Sequence, residues 1–297
     1  MNNTDDISLI GSICVVIPTF NRADILAQSL AKYAEVLHIE NASILVVDNN
    51  SSDNTAQVVI DFKQDSRLNI QYIFEENQGL SFAKNAALKH CKQEFILFLD
   101  DDCYPQEDIL LACAKNIAAG NKVVVGKIKR WDAMVEPWNL DEFYIQNCPS
   151  EKPTVLKTST YFRGGVLLIA ASLVRELNGF DTNLGMKGNK SAYGEDTDLA
   201  KRLLSDKQSI FYDPSIAMYH KAHQNSVGAY LRAYYTLGKT EYGGKHSKFV
   251  LLLKAILSVC KFPFVFISTF FSHWKWKTAM VKSLIPVANS FGRLAGA

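Results

Sequence analysis

Asp100-Asp101-Asp102 follow directly on the apolar run Phe95-Ile96-Leu97-Phe98-Leu99. Three adjacent carboxylates repel one another and persist only when solvated, protonated or neutralised by a cation. If the run is a buried strand, the triplet lies at its C-terminal end, where open α/β sheets bind ligands. Alternation along an extended chain sends Asp100 and Asp102 to one side and Asp101 to the other. Two carboxylates so placed suit a divalent metal whose remaining positions are filled by water and substrate phosphates. A solvated acidic turn, or a cap on a helix after Pro105, is the alternative. A second acidic group, Glu195-Asp196-Thr197-Asp198, opens a helical pattern. The helix dipole there keeps a carboxylate ionised and able to accept a proton, although acids also decorate helix N-termini without doing chemistry. Asp48 offers an acceptor for a base-ring N–H, and Lys84 a donor for a ribose or phosphate. Asn50 to Asp53 equally make an ordinary turn and helix cap.

The first hundred residues supply elements to position these groups. Ile13–Ile17 is a β-branched apolar run ended by Pro18, and a helical pattern through Ile25, Leu26, Leu30 and Tyr33 follows. Ile44–Val47 is a second run, closed by Asp48-Asn49-Asn50. A helical stretch over Asp53–Phe62 leads to a third strand near Ile70–Phe74, and a helix around Leu80–His90 leads into Phe95–Leu99. This alternation predicts a parallel sheet with right-handed crossovers and helices on both faces. Unbroken apolar runs are what a sheet covered on both sides requires. Polar segments then gather at the strand ends: Pro18-Thr19-Phe20-Asn21-Arg22 after the first, Asp48 to Asp53 after the second, and Asn77 through Asn85 ahead of the triplet.

Past Pro105 the pattern loosens. A helix near Asp108–Ala119 precedes a strand at Val123–Ile128, and Trp131–Val155 reads as loop with short helical pieces. Phe162–Ala170 reads as a strand carrying Gly164-Gly165. The glycine- and lysine-bearing segment Asn183–Tyr193 has no periodicity and suggests a loop that orders on ligand binding. Glu195–Leu204 is helical, Ser209–Tyr212 strand-like and Val227–Tyr242 a helix rich in Tyr. Phe249–Phe271 is almost continuously apolar, broken by Lys254, Lys261 and Pro263. Lys254, Ser258, Lys261 and Ser268 fall in a narrow arc of one helix face. Lys245, His246 and Lys248 precede the span and His273-Trp274-Lys275-Trp276-Lys277 follow it. Two internal lysines argue against a bilayer crossing and for a helix lying in the interface, its lysines toward anionic headgroups. A core or dimer helix with snorkelling lysines is the alternative.

The 297 residues, 48% hydrophobic and 21% charged, describe a folded chain of one large or two smaller domains. A net charge of only +2 gives no global argument for nucleic-acid binding. Six cysteines without C-x-x-C spacing read as reduced, mostly buried thiols, not as a disulfide frame or zinc site. Met1 to Asp6 lack the basic and apolar parts of a secretory signal, which points to the cytoplasm. No G-x-G-x-x-G follows the first strand, Gly185 to Ser191 has the wrong spacing for a P-loop, and no G-x-S-x-G elbow occurs.

Together, Val15 to Arg22, Val47 to Asp53, Asn77 to Asn85, Phe98 to Asp102, Gly179-Phe180-Asp181 and Gly194 to Leu199 resemble the family-2 glycosyltransferases of GT-A fold. The resemblance runs from about Ile13 to His220. It implies an α/β fold with a mostly parallel central sheet flanked by helices. It places a catalytic domain over residues 1–225, and the apolar, lysine-flanked span beyond it reads as a helical, membrane-surface extension over 226–297. On this resemblance Asp48 and Lys84 contact the nucleotide base and ribose, and Asp100 sits near the ribose. Asp102 binds Mn2+ or Mg2+ across the diphosphate, His220 is a further metal or diphosphate contact, and Asp196 is the catalytic base. Pro18, Thr19, Arg22, Asn77, Gly79 and Asp101 line the same nucleotide-sugar site. The departing diphosphate gathers negative charge that a metal stabilises, while the acceptor hydroxyl gives its proton to a carboxylate. One displacement with one base inverts the anomeric centre. The expected partners are a nucleotide-sugar donor, with UDP favoured, and a glycan or lipid-linked acceptor of bacterial surface polysaccharide synthesis, at the inner face of the cell membrane. A non-catalytic nucleotide-sugar-binding scaffold is the alternative, and a nucleotidyltransferase would need a Gly-rich phosphate loop that is missing. Asn49 stands where the family often has a second acid, Val166 follows the glycine pair where an Asn is frequent, and Asn178 replaces a frequent Gly. The Q-x-x-R-W signature of processive synthases is absent, which predicts one sugar per encounter.

Overall fold

Each apolar run of the first hundred residues is a strand in the computed structural model, whose described residues are 3–65, 68–130, 148–162, 164–188, 193–220, 227–240, 248–273 and 276–296. The chain begins with α1 (Asn3–Ile10), β1 (Ile13–Thr19), α2 (Ala23–Tyr33), β2 (Ser43–Asp48), α3 (Thr55–Asp65) and β3 (Ile70–Phe74). Next come α4 (Leu80–His90), β4 (Phe95–Leu99), β5 (Cys103–Pro105), α5 (Ile109–Ala118), β6 (Val123–Arg130), β7 (Thr154–Leu156) and β8 (Val166–Ala170). The remainder is α6 (Ala171–Glu176), α7 (Glu195–Ser205), β9 (Ile210–His220), α8 (Val227–Thr240), α9 (Lys248–His273) and α10 (Trp276–Gly296). Two compact units result. One comprises Met1–Trp131, Gln146–Asn183 and Glu195–Lys221; the other comprises Asp132–Ile145, Leu184–Gly194 and Ala222–Ala297.

The first unit holds one sheet in the order β3-β2-β1-β4-β8-β6-β9-β5, with β7 against β9. β3, β2, β1 and β4 are parallel, as the strand–helix alternation predicts. Beyond β4 the sheet is mixed: β8 runs antiparallel to β4, β6 antiparallel to β8, and β9 parallel to β6. Every residue of β1, β4 and β8 is buried, which is why these segments are continuously apolar and do not alternate. α2 turns Leu26, Leu30 and Tyr33 inward at helical spacing.

Several expectations are corrected. The polar N-terminus, for which no element was expected, forms the helix α1, whose Asp6 and Ile10 are buried. α3 begins two residues later than expected, at Thr55, because Asp53 caps it from outside. The strand expected over Phe162–Ala170 starts only at Val166, after a short 3-10 turn at Ser159–Tyr161. Asp100 to Asp102 are not extended; the chain turns, with the Cys103 N–H donating to the Asp100 carbonyl at 3.2 Å, so alternation does not set their directions. The strand expected to stop at Tyr212 runs on to His220 despite Pro214. Asp213 makes this possible by accepting from the Ser215 N–H at 2.9 Å, the Ser215 hydroxyl at 2.7 Å and Asn116 Nδ2 at 2.7 Å. The register of β6 on β9 shifts between Val125 and Lys127, where Gly126 has no Cβ to collide with the Ile216 carbonyl oxygen. This continuation carries His220 to the position opposite Cys103. The expectations for residues 131–147, Arg163, 189–192, Tyr242, Lys245, His246, Trp274 and Lys275 lie outside the described residues.

In the second unit α10 packs against both α8 and α9, and Val281 is buried with Tyr234 and Ile285 against it. Val250–Thr269 of α9 is long and apolar enough to cross a membrane by length and composition, and 11% of it is buried. Leu251, Ala255 and Thr269 face inward, whereas Leu252, Leu253, Ile256, Leu257, Val259, Phe264 and Ile267 are exposed. Lys254 and Lys261 are exposed too; Ser258, expected beside them, is half-buried and donates to the Ala255 carbonyl at 2.7 Å.

Candidate active site

Parallel β1, β2 and β4 end on one edge of the sheet, so Thr19, Asp48 and Asp100 emerge there together. Pro18 is a buried residue within β1, opposite Val47. Asp101 is buried and internally satisfied: it accepts from Thr19 Oγ1 at 2.8 Å and Arg22 Nη1 at 2.8 Å. The Ser29 hydroxyl also donates to its carbonyl at 2.5 Å. Thr19 and Arg22, expected at the donor, are thus engaged by the triplet. Arg22 Nη1 also reaches Asp102 Oδ2 at 3.1 Å. Burial lowers the affinity of the Arg22 guanidinium for its proton, and Asp101 and Asp102 more than restore it.

The three acids differ in surroundings. Burial and then Asp102 push Asp100 up to about 7, against the opposing charge of Lys84. Burial pushes Asp101 up to about 6, against the opposing charge of Arg22. Asp102 Oδ1 lies 3.4 Å from His220 Nε2 and 3.5 Å from Cys103 Sγ. One ligand atom from each of Asp102, Cys103 and His220 lies within 4.8 Å of the others. Among the described residues this edge collects the carboxylates of Asp100, Asp101, Asp102, Glu195 and Asp196 against the fixed cations Arg22 and Lys84. A divalent cation held by Asp102 and His220 would offset that excess, and carboxylate and imidazole donors suit one. Cys103, read from the sequence only as a buried thiol, joins the cluster through the pairing of β5 with β9, which no local pattern announces.

Lys84, on α4, is 2% exposed and bridges Glu195 Oε1 at 3.2 Å and Asp196 Oδ1 at 2.7 Å. Its ammonium also lies 5.1 Å from the Phe180 ring centre and 6.0 Å from that of Phe98, two rings that meet edge to face at 5.5 Å. Burial works against its charge, but Asp196 and Glu195 hold the proton more firmly than in an ordinary lysine. Burial raises Glu195 above the usual glutamate value, Asp196 adds to this, and Lys84 opposes it. Asn85 fixes the Phe180 backbone from both sides, accepting from its N–H at 2.8 Å and donating to its carbonyl at 2.8 Å. The Gly179-Phe180 segment therefore contributes to the site as packing for Lys84.

Asp196 lies in the first turn of α7, its side chain 23% exposed. Its second oxygen accepts from the Gly164 N–H at 3.0 Å. A Cβ at Gly164 would overlap this carboxylate, and one at Gly165 would lie 2.6 Å from Asp100 Oδ2. The glycine pair is thus the gap into which both acids fit.

Asp48 is buried, and its oxygens accept from the Ser51 N–H at 2.8 Å and the Tyr72 hydroxyl at 2.8 Å. Burial and then Asp48 raise the Tyr72 phenol above its usual range. Asn49 donates to the Asn77 carbonyl at 2.7 Å and accepts from the Gly79 N–H at 2.7 Å. An acid here could accept from Gly79 but not donate to Asn77, which gives the Asn a physical reason. Asn77 itself donates twice to Glu75 Oε1, at 2.9 Å and 2.7 Å. Thus Asp48, Asn49 and Asn77 are each held in place by hydrogen bonds to neighbouring segments.

Comparison with known proteins agrees with this architecture. An uncharacterized glycosyltransferase of Rickettsia conorii is 26% identical over 214 residues, 68% of this chain and 34% of that protein. The GalNAc(5)-diNAcBac-PP-undecaprenol beta-1,3-glucosyltransferase of Campylobacter jejuni is 37% identical over 92 residues, 30% of this chain and 29% of that protein. The chain spans about a third of the length of the curated relatives it matches. Among solved structures, the mannosyltransferase PcManGT from Pyrobaculum calidifontis, in complex with GDP-Man and Mn2+, has a TM-score of 0.64 at 17% identity. That likeness covers 93% of this chain and 86% of that one, and it shows the GT-A fold. Residues 14–177, from the second residue of β1 to just past α6, match Glycosyl transferase family 2, and the chain belongs to that family.

Proposed function

We propose that the protein transfers one sugar from a nucleotide-diphospho-sugar, with inversion, to a hydroxyl of a glycan or lipid-linked acceptor in surface polysaccharide synthesis. The observation that carries this reading is the Gly164-Gly165 gap. It seats Asp100 and Asp196 next to each other, with Asp196 partly open, on the edge where Asp102 meets His220. A divalent cation at Asp102 and His220, Mn2+ or Mg2+, supplies positive charge for a departing diphosphate. The chain's own groups do the rest. Asp48, held by Ser51 and Tyr72, presents a fixed acceptor for the base. Arg22 orients Asp101 and Asp102 together. Asp196 takes the proton of the acceptor hydroxyl, and Lys84 with the Gly164 N–H fixes the direction in which its free lone pairs point.

The undecaprenol in the name of the Campylobacter relative and the exposed apolar face of α9 both support an acceptor met at a membrane surface. Lys254 and Lys261 suit anionic headgroups there. The reading is tested by calorimetry of UDP-, GDP- and dTDP-sugars with and without a divalent cation, paired with a transfer assay. One donor is expected to bind in a cation-dependent way and to be turned over, with a UDP-sugar first in order. Donor binding without turnover would favour a scaffold, and no donor binding would end the proposal.

A further inference from the structure

At the end of the sheet opposite the acidic edge, two thiols meet. Cys14 precedes Thr19 in β1 by about 17 Å of extended chain. It stands beside Ser43 of β2, in parallel register and on the same face. Gln93, in the connection from α4 to β4, donates from Nε2 to Ser43 Oγ at 2.7 Å. Cys91, the first residue after α4, donates its N–H to the Ala87 carbonyl at 2.8 Å. Its sulfur lies 3.8 Å from the carbonyl oxygen of Gln93 and 3.8 Å from Oε1. The Gln93 side chain thus leads from Cys91 to the strand residue next to Cys14. The two thiols are hydrogen-bonded to each other, Cys14 donating and Cys91 accepting. Both are buried, at 2% and 5% exposure, yet they line one cavity of about 30 Å3. His90 and Lys92 on its wall are exposed, so the cavity meets solvent. It has room for about two waters, and thus for one hydroperoxide group. Arg175 of α6 donates to the Cys91 carbonyl at 2.9 Å, which brings a fixed cation beside that residue. The bond from Cys14 holds the Cys91 thiol below its usual range; burial opposes this, while Gln93 and Arg175 assist. Donation to Cys91, and then burial, push the Cys14 thiol up. One sulfur of the pair is therefore ready to attack, and the other keeps its proton.

We infer that Cys14 and Cys91 form a peroxide-reactive dithiol, in which Cys91 takes the oxygen and Cys14 closes a reversible disulfide. The Cys91 thiolate attacks one oxygen of a hydroperoxide and the O–O bond breaks. The other oxygen leaves and takes up the proton that the thiol had released. Sulfur is oxidised to a sulfenic acid, and the peroxide is reduced to water or an alcohol. The Cys14 sulfur then attacks the Cys91 sulfur, the S–O bond breaks, and hydroxide leaves with the Cys14 proton as water. The sulfurs, already in contact, have only to close to about 2.05 Å. Such a disulfide is transient, as suits a chain whose cysteines rest as free thiols.

The test is peptide mass spectrometry of the full chain, reduced, exposed to hydrogen peroxide and then alkylated in denaturant. Oxidation should remove two of the six thiols and join the peptides carrying Cys14 and Cys91 with the loss of two hydrogens. A dithiol reductant should return both thiols. Cys14→Ser should instead leave Cys91 as a sulfenic acid, trapped by dimedone, and Cys91→Ser should leave Cys14 unmodified. Cys148→Ser combined with Cys260→Ser, which removes the two more exposed thiols, should form the disulfide at the wild-type rate. The inference is overturned if Cys14 and Cys91 both remain free thiols after peroxide, or if Cys91 pairs with another cysteine. A dimedone adduct on wild-type Cys91 with no disulfide overturns it too. The wild-type result decides the matter even where Cys14→Ser does not fold.

Discussion

At the scale of the residue, Lys84 is the group on which the site most depends. It is almost fully buried between two carboxylates and two aromatic rings. Replacing it with Met leaves Glu195 buried without its cation and removes one of the two partners of Asp196, at a cost of about 3 kcal/mol. Lys84→Met should lower the urea midpoint at pH 7 accordingly. The pH dependence has a definite sign. Burial raises Glu195 above 4.5, so its contribution is complete below that value and is lost as pH rises through the raised one. Without Lys84 the loss deepens, so the gap between wild type and variant opens above pH 4.5 and narrows below it; a gap independent of pH contradicts the pairing. Asp100, Asp102 and Asp196 were legible as candidates because they sit where a strand stops and a helix starts. The partners of these residues were not. Lys84 and Glu195 are 111 positions apart, and Thr19 and Asp101 are 82 apart, so only the folded sheet brings each pair together.

At the scale of the element, Asp53 ties two helices. It accepts from the Ala23 N–H at the start of α2 at 2.9 Å, and from the Thr55 N–H and hydroxyl at the start of α3 at 3.1 Å and 2.5 Å. Partial burial raises its carboxyl, but the bonds from Thr55 and Ala23 outweigh that and hold it below 3.8. Asp53→Ala should cost about 1 kcal/mol, the scale of a lost cap on an exposed side chain. Because the folded value is depressed, this contribution is present above pH 3.8 and lost as pH falls through the folded value. Thermal unfolding of wild type and variant should therefore differ at pH 7 and converge in acid; a difference that persists in acid contradicts the cap. The elements up to β4 were readable because each strand is an apolar run next to an amphipathic helix, and local pattern suffices for βαβ units. β5 and β7 were missed because three residues carry no period, and β9 was cut short because Pro214 reads as a stop. Their pairing depends on partners more than fifty residues away in sequence, which a local pattern cannot contain.

At the scale of the whole molecule, one unit carries the sheet with the acidic edge, and the other carries α9 with its exposed apolar face. A helix of this kind in the interface draws on its lysines for anionic lipid, at about 1 kcal/mol each. Lys254→Gln combined with Lys261→Gln should weaken binding of the full chain to anionic vesicles by about thirtyfold. Co-sedimentation measures this, and an unchanged affinity would return α9 to a core or dimer helix. The central claim, that this edge transfers a glycosyl group with Asp196 as base, is tested most directly by one comparison. Wild type and Asp196→Asn are assayed side by side for donor binding by calorimetry and for sugar transfer by mass spectrometry. The account predicts that the variant binds donor with little change and transfers no sugar. Transfer at the wild-type rate by Asp196→Asn would contradict it.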